Sequence, residues 1–178
     1  MMNIKEKPSY IADGIRSCVL KFLLRIRSGK LIRRVRKFFA LSWRDRYLFI
    51  KVFGLTGVVR LAIHGLPFRW LAPTLGKHMR ESALQEDITN LEIAKHVGLI
   101  IEMVSRYTPW ESKCLVQAIV GKIILRQCGI TNTLYLGVRR DRRQNIIAHA
   151  WLRCGDTILT GNRGITYFRV VSKFADDW

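Results

Sequence analysis

What this chain has least of is acid. Thirteen Asp and Glu stand against 31 Lys and Arg, a formal charge of +18 over 178 residues. That balance favours anionic partners, whether nucleic acid, an acidic peptide or a membrane face, over neutral ones. A basic surface that only aids solubility is the alternative. Cysteine is scarce too: four residues, at 18, 114, 128 and 154, with no CxxC pair and no common zinc spacing. A metal site is therefore not expected. The start, MMNIKEKPSYIADGIRS, has no apolar core of signal-peptide type, and Lys21 interrupts the first apolar run. A cytoplasmic setting with reduced thiols is the expectation. No internal repeat, low-complexity tract or nucleic-acid motif is evident in the sequence. Apolar residues at 49% and aromatics at 10% exclude wholesale disorder. The length fits one domain, or one domain with an added segment.

Residues 1–37 hold 11 Lys or Arg and only Glu6 and Asp13 as acids. Within them, Leu, Ile and Phe interleave with Arg and Lys, which reads as one or two basic amphipathic helices broken near Ser28-Gly29. Such an extension either rests on an anionic membrane, meets an acidic partner, or packs on the remainder through its apolar face.

Ser42 is placed to cap the next helix. From Tyr47 to Ile63 only Lys51 and Arg60 are charged, and at ~100° per residue they fall on opposite sides. A helix apolar nearly all round is expected to be buried at the centre of the fold, with partial membrane insertion as the alternative. The run is shorter than the ~20 residues that a span requires. His64 sits at the helix end as a C-terminal cation rather than a ligand. Residues 68–90, punctuated by Pro73 and Gly76, read as a connection. Thr89 or Asn90 can cap a following helix whose apolar positions are 93, 94, 97, 100, 101 and 104.

Past Pro109, Ser112 can cap a helix running from about Lys113 to Gln127 and stopping at Gly129. Cys114 then falls in its first turn. Unsatisfied N–H groups and the partial positive charge of a helix start favour a thiolate there. The same N–H groups can receive an oxyanion. An inert buried cysteine is the competing reading.

Downstream, residues 132–138 read as a strand, 139–145 as a basic loop and 146–153 as a second strand. With Gly155-Asp156 as a two-residue turn, Cys154 faces Thr157. Counting outward, Trp151 faces Thr160 and His149 faces Asn162, all four on one side of the sheet. Nucleophile, proton carrier and orienting amide form the parts of a papain-type Cys-His-Asn site: Cys114, His149 and Asn162. A half-buried strand histidine bonded to backbone is the alternative for His149.

The stretch PWESKCLVQAIVGKIILRQCGITNTLYLGVRRDRRQNIIAHAWLRCGDTILTGN resembles the transglutaminase-like core of lasso-peptide leader peptidases. These are the B proteins of lasso-peptide biosynthesis, in the split form without a leader-recognition domain. Pro109-Trp110, Cys114-Leu115, Gly129-Ile130, Leu136-Gly137-Val138 and His149-Ala150-Trp151 carry the likeness, which covers roughly residues 38–178. It implies an α+β fold: a helical N-terminal part (38–85) after a basic extension (1–37), then a papain/transglutaminase-like core (86–178). There, a helix carrying the cysteine packs on a small antiparallel sheet carrying the histidine. The implied activity is a cofactor-free cysteine peptidase that removes the leader from a ribosomally made precursor. It would act with a small leader-recognition protein and an ATP-dependent macrolactam cyclase.

By position Cys114 is the implied nucleophile and His149 the general base and acid. Trp110, Gln117, Trp151 and Thr160 are candidate cleft residues. The family's third member is usually an Asp after the hairpin. Here TILTGN has no carboxylate, so Asn162 takes that place, with Thr160 and then Asp156 as substitutes. Two other readings stand beside this one: a transglutaminase or acyltransferase with the same Cys-His pair, and a non-catalytic basic protein that binds membrane or nucleic acid. Nucleic acid is the less expected partner. A peptidase located at the inner face of the membrane is compatible with the basic N-terminal region.

Overall fold

The computed structural model describes residues 36, 38–110 and 112–176. The expected amphipathic helices of the N-terminal extension lie outside the described residues. The first helix, α1 (Trp43–Gly65), begins as the sequence predicts. Ser42 Oγ accepts the Asp45 amide N–H at 3.1 Å and donates to Asp45 Oδ2 at 2.8 Å, satisfying one of the orphan donors of the first turn.

The expectation that α1 is buried fails. Only Val52, Thr56 and Val59 are buried along its 23 residues, while Tyr47, Ile50, Val58 and Leu61 are exposed. Apolar composition gives no face by itself; the contact is set by the residues that Phe53 and Gly57 meet. The Phe53 and Trp110 rings lie 5.1 Å apart. A Cβ on Gly57 would sit 3.2 Å from the Trp110 ring. The helix is also long and apolar enough to cross a membrane by length and composition, with a mean hydropathy of 1.5.

A short helix α2 (Phe68–Leu71) and a 3-10 turn (Ala72–Leu75) lead to a two-residue strand β1 (Lys77–His78). Next come the helices α3 (Ile88–Ser105) and α4 (Cys114–Gln127). Asp87, rather than Thr89 or Asn90, is the N-cap position of α3. The chain ends in β2 (Asn132–Arg140), β3 (Ile146–Cys154), β4 (Thr157–Thr160) and β5 (Arg169–Asp176). All pairings are antiparallel, in the order β1-β5-β2-β3-β4. This is the expected α+β arrangement, a helical part followed by a small antiparallel sheet.

The 3.6-residue period of α3 turns Val97, Ile100, Ile101 and Val104 inward, and that of α4 does the same for Val116, Val120, Ile124 and Leu125. They cover the face of the sheet formed by Leu134, Ala150, Leu152 and Phe174. Each such side chain, fully buried, contributes about 1.5–3 kcal/mol. Close approach needs Gly121, where a Cβ would stand 2.7 Å from a Leu152 methyl.

A buried ion pair, Lys122 with Asp176, closes one end of this core. Lys122, 1% exposed, donates to Asn132 Oδ1 (3.1 Å), the Phe174 carbonyl (3.3 Å) and Asp176 Oδ2 (2.9 Å). Arg126 holds the other Asp176 oxygen at 2.5 Å. Burial pulls the Lys122 ammonium below the ordinary lysine range, with Asp176 opposing that pull. The network ties the end of β5 to α4, and so fixes the helix that begins at Cys114.

Candidate active site

Cys114 is the first residue of α4. Ser112 does not cap the helix as the sequence suggests. Its hydroxyl pairs with Thr108 Oγ1 at 2.9 Å, and its carbonyl accepts the Gln117 side-chain amide at 2.8 Å. Lys113 takes the N-cap position and makes no side-chain cap bond. The first turn of α4 therefore keeps its amide donors free of side-chain caps, beside a half-buried thiol.

The hairpin begins as predicted. Cys154 pairs with Thr157, and Gly155 at φ +54° supplies the positive angle that the two-residue turn needs. Further out the expected register is wrong. A bulge between Leu152 and Arg153 sets Leu152, not Trp151, opposite Thr160. Thr160 thereby shares the core side of the sheet with Leu152, while His149 and Trp151 point to the other side. Asn162 does not pair with His149. The last β3–β4 pair is Leu152–Thr160, and the chain leaves the sheet at Gly161.

At that open edge lies a cleft of about 710 Å³. Cys114, Gln117, His149, Thr160, Gly161 and Asn162 all line it, so the nucleophile and proton carrier expected from the sequence share one cavity. The His149 ring is held from three directions. Its Nε2 lies 2.7 Å from the Gly161 carbonyl oxygen. A carbonyl only accepts, so Nε2 carries the proton. The Phe168 ring stands 4.9 Å away and the Trp151 ring 6.0 Å. Gly137, paired with His149 on β2, leaves room for both side chains: a Cβ there would meet the Trp151 ring at 2.8 Å and the Phe168 Cβ at 3.0 Å.

Two of the four candidate cleft residues lie elsewhere. Trp110 packs on α1, and Trp151 stacks on Tyr135 at 5.4 Å, 5% exposed. Gln117 and Thr160 do line the cleft. Thr160 is 6% exposed, and its Oγ1 has no hydrogen-bond partner among the described residues. Asp156 sits in the hairpin turn, bonded to Thr157. Sequence reading missed Glu102, Arg106 and Arg163 on the cleft wall. Glu102 and Arg106 are one helical turn apart and paired at 2.6 Å, a spacing visible in the sequence. Among the other described cysteines, Cys128 is exposed. Cys154 is buried in the core, and burial pushes its thiol up to about 11.

The transglutaminase-like superfamily matches residues 62–173, a stretch holding α3, α4, the Cys114 and His149 positions and most of the sheet. The chain belongs to the transglutaminase-like superfamily. No match was found among curated proteins or among solved structures.

Proposed function

We propose that this protein is a cysteine peptidase that removes the leader from a lasso-peptide precursor. One observation carries the catalytic part of the reading: His149 spends Nε2 on the Gly161 carbonyl inside the cleft that Cys114 lines. Nδ1 is then the nitrogen left to exchange a proton with the sulfur. The Gly161 carbonyl takes the orienting role that a side-chain amide or carboxylate fills in other Cys-His sites. The finer assignment to leader removal rests on the sequence likeness around Cys114-Leu115 and His149-Ala150-Trp151.

The Cys114 thiolate attacks the carbonyl carbon of the last leader residue. The oxyanion forms against the uncapped amides of the first α4 turn. As the C–N bond breaks, the His149 imidazolium protonates the departing amine of the core peptide. Water, giving its proton to the same imidazole, then attacks the thioester and releases the leader acid and the thiolate. An amine in place of that water would make the product an amide, and mass analysis of the leader product separates the two.

A leader-recognition protein delivers the precursor, and an ATP-dependent cyclase takes the released core peptide. For docking, Arg142 and Arg143 in the β2–β3 loop are exposed, and Asp141 Oδ1 braces the loop by accepting the Arg143 and Asn145 amides, each at 2.8 Å. Arg139 is a poor probe of docking, because it lies over the Phe168 ring that packs on His149. Reversing the charge at Arg142 and Arg143 should weaken processing without loss of folding; unchanged processing would leave the loop a solvated surface. For the activity itself, a Cys114→Ala variant incubated with precursor and recognition protein should leave the precursor whole. Normal cleavage by that variant would overturn the reading.

A further inference from the structure

We infer that the exposed ridge of α1 docks the protein on an anionic lipid surface. At ~100° per residue, positions 47, 50, 54, 58 and 61 fall within an arc of roughly 80°, and the buried Val52, Thr56 and Val59 lie on the opposite side. Tyr47, Ile50, Val58 and Leu61 are 62–74% exposed, and nothing stands within 4 Å of where a Gly54 Cβ would be. Four large apolar side chains along about four turns of one helix form a contiguous patch, the kind that marks an interaction surface.

Charge selects the occupant. Between residues 14 and 80 the chain carries 16 Lys and Arg, and Asp45 is its only carboxylate. From Arg46 to Arg80, the stretch that contains the ridge, there is no acid at all. A second copy would bring the same sign of charge, and a net +18 opposes self-association. An anionic lipid surface offers both what the ridge lacks, an apolar interior, and what the flanking cations attract. The helix lies in the interface rather than crossing it, because Val52, Thr56 and Val59 stay packed on the protein while Phe53 and Gly57 hold Trp110. This inference is independent of the peptidase reading.

The experiment is flotation of the full chain with vesicles of phosphatidylglycerol mixed into phosphatidylcholine, and with vesicles of phosphatidylcholine alone. The protein should float with the mixed vesicles and not with the neutral ones, and added salt should weaken its binding. An Ile50→Asn/Leu61→Asn variant keeps every charge and should lose at least about tenfold in vesicle affinity, since two apolar side chains leave the bilayer. The single Leu61→Asn variant, at the most exposed of the four positions, serves as a second probe should the double variant fold poorly. Failure to float with anionic vesicles, or undiminished binding by folded variants, would overturn the inference. So would a concentration-dependent dimer, abolished by the same substitutions, in a chain that ignores vesicles.

Discussion

His149 Nε2 donates to the carbonyl oxygen of Gly161 at 2.7 Å, across the point where β3 loses its partner strand. The contact ties a ring on one strand to the backbone of the segment that leaves the next. Asn162, the side chain expected to do this work, lies exposed one residue further along. An Asn162→Ala variant should therefore keep kcat within about threefold of the parent, since a lost amide–imidazole bond would cost far more than that. Gly161→Ala should lower kcat by tenfold or more with KM little changed. At φ +72° an added Cβ meets the Ala150 carbonyl, which must push the Gly161 carbonyl away from the ring. Steady-state kinetics on a precursor peptide checks both.

Gly137 sets the same ring from the opposite strand. An added Cβ collides with the Trp151 ring and with the Phe168 Cβ, and both side chains pack beside His149. Gly137→Ala should reduce activity more than it reduces stability, read by comparing turnover with the midpoint of urea unfolding.

Much of this geometry was legible in the sequence and part of it was not, for reasons that particular residues show. Turns and helix stops are local, so the Cys154–Thr157 turn and the placement of Cys114 in the first turn of α4 could be read directly, although the caps fell on Lys113 and Asp87 and not on Ser112 and Thr89 or Asn90. Strand alternation correctly put His149 and Trp151 on one face. The bulge at Leu152/Arg153 has no local signature, and it moved Thr160 to the other face and Asn162 out of reach. Composition called α1 central because almost every residue is apolar, yet burial depends on what packs against it. Lys122 is buried because β5, distant in sequence, brings Asp176 to it.

The Lys122–Asp176 pair should dominate the stability of the sheet end. Replacing Asp176 by Ala leaves a buried ammonium without its anion and should cost about 3–5 kcal/mol in urea unfolding. The double variant Lys122→Met/Asp176→Ala should recover a large part of that loss, because the unpaired charge goes with it.

Cys154 gives a pH signature. Its folded-state thiol titrates near 11, against 9.0 for the ordinary thiol. Above pH 9 the unfolded chain loses this proton first, so stability present below 9 drains away as pH rises through 11. The loss should amount to about 2–3 kcal/mol. The stability difference between the parent and Cys154→Ala, measured at both ends of that window, isolates this contribution from that of Lys122.

The central claim is that Cys114 and His149 work as a pair, and alkylation kinetics tests it most directly. Iodoacetamide should modify Cys114 faster than Cys128, although Cys128 is the more exposed, and a His149→Ala variant should lose that advantage while staying folded. Equal rates at the two sulfurs, or a Cys114 rate that ignores the removal of His149, would contradict the account.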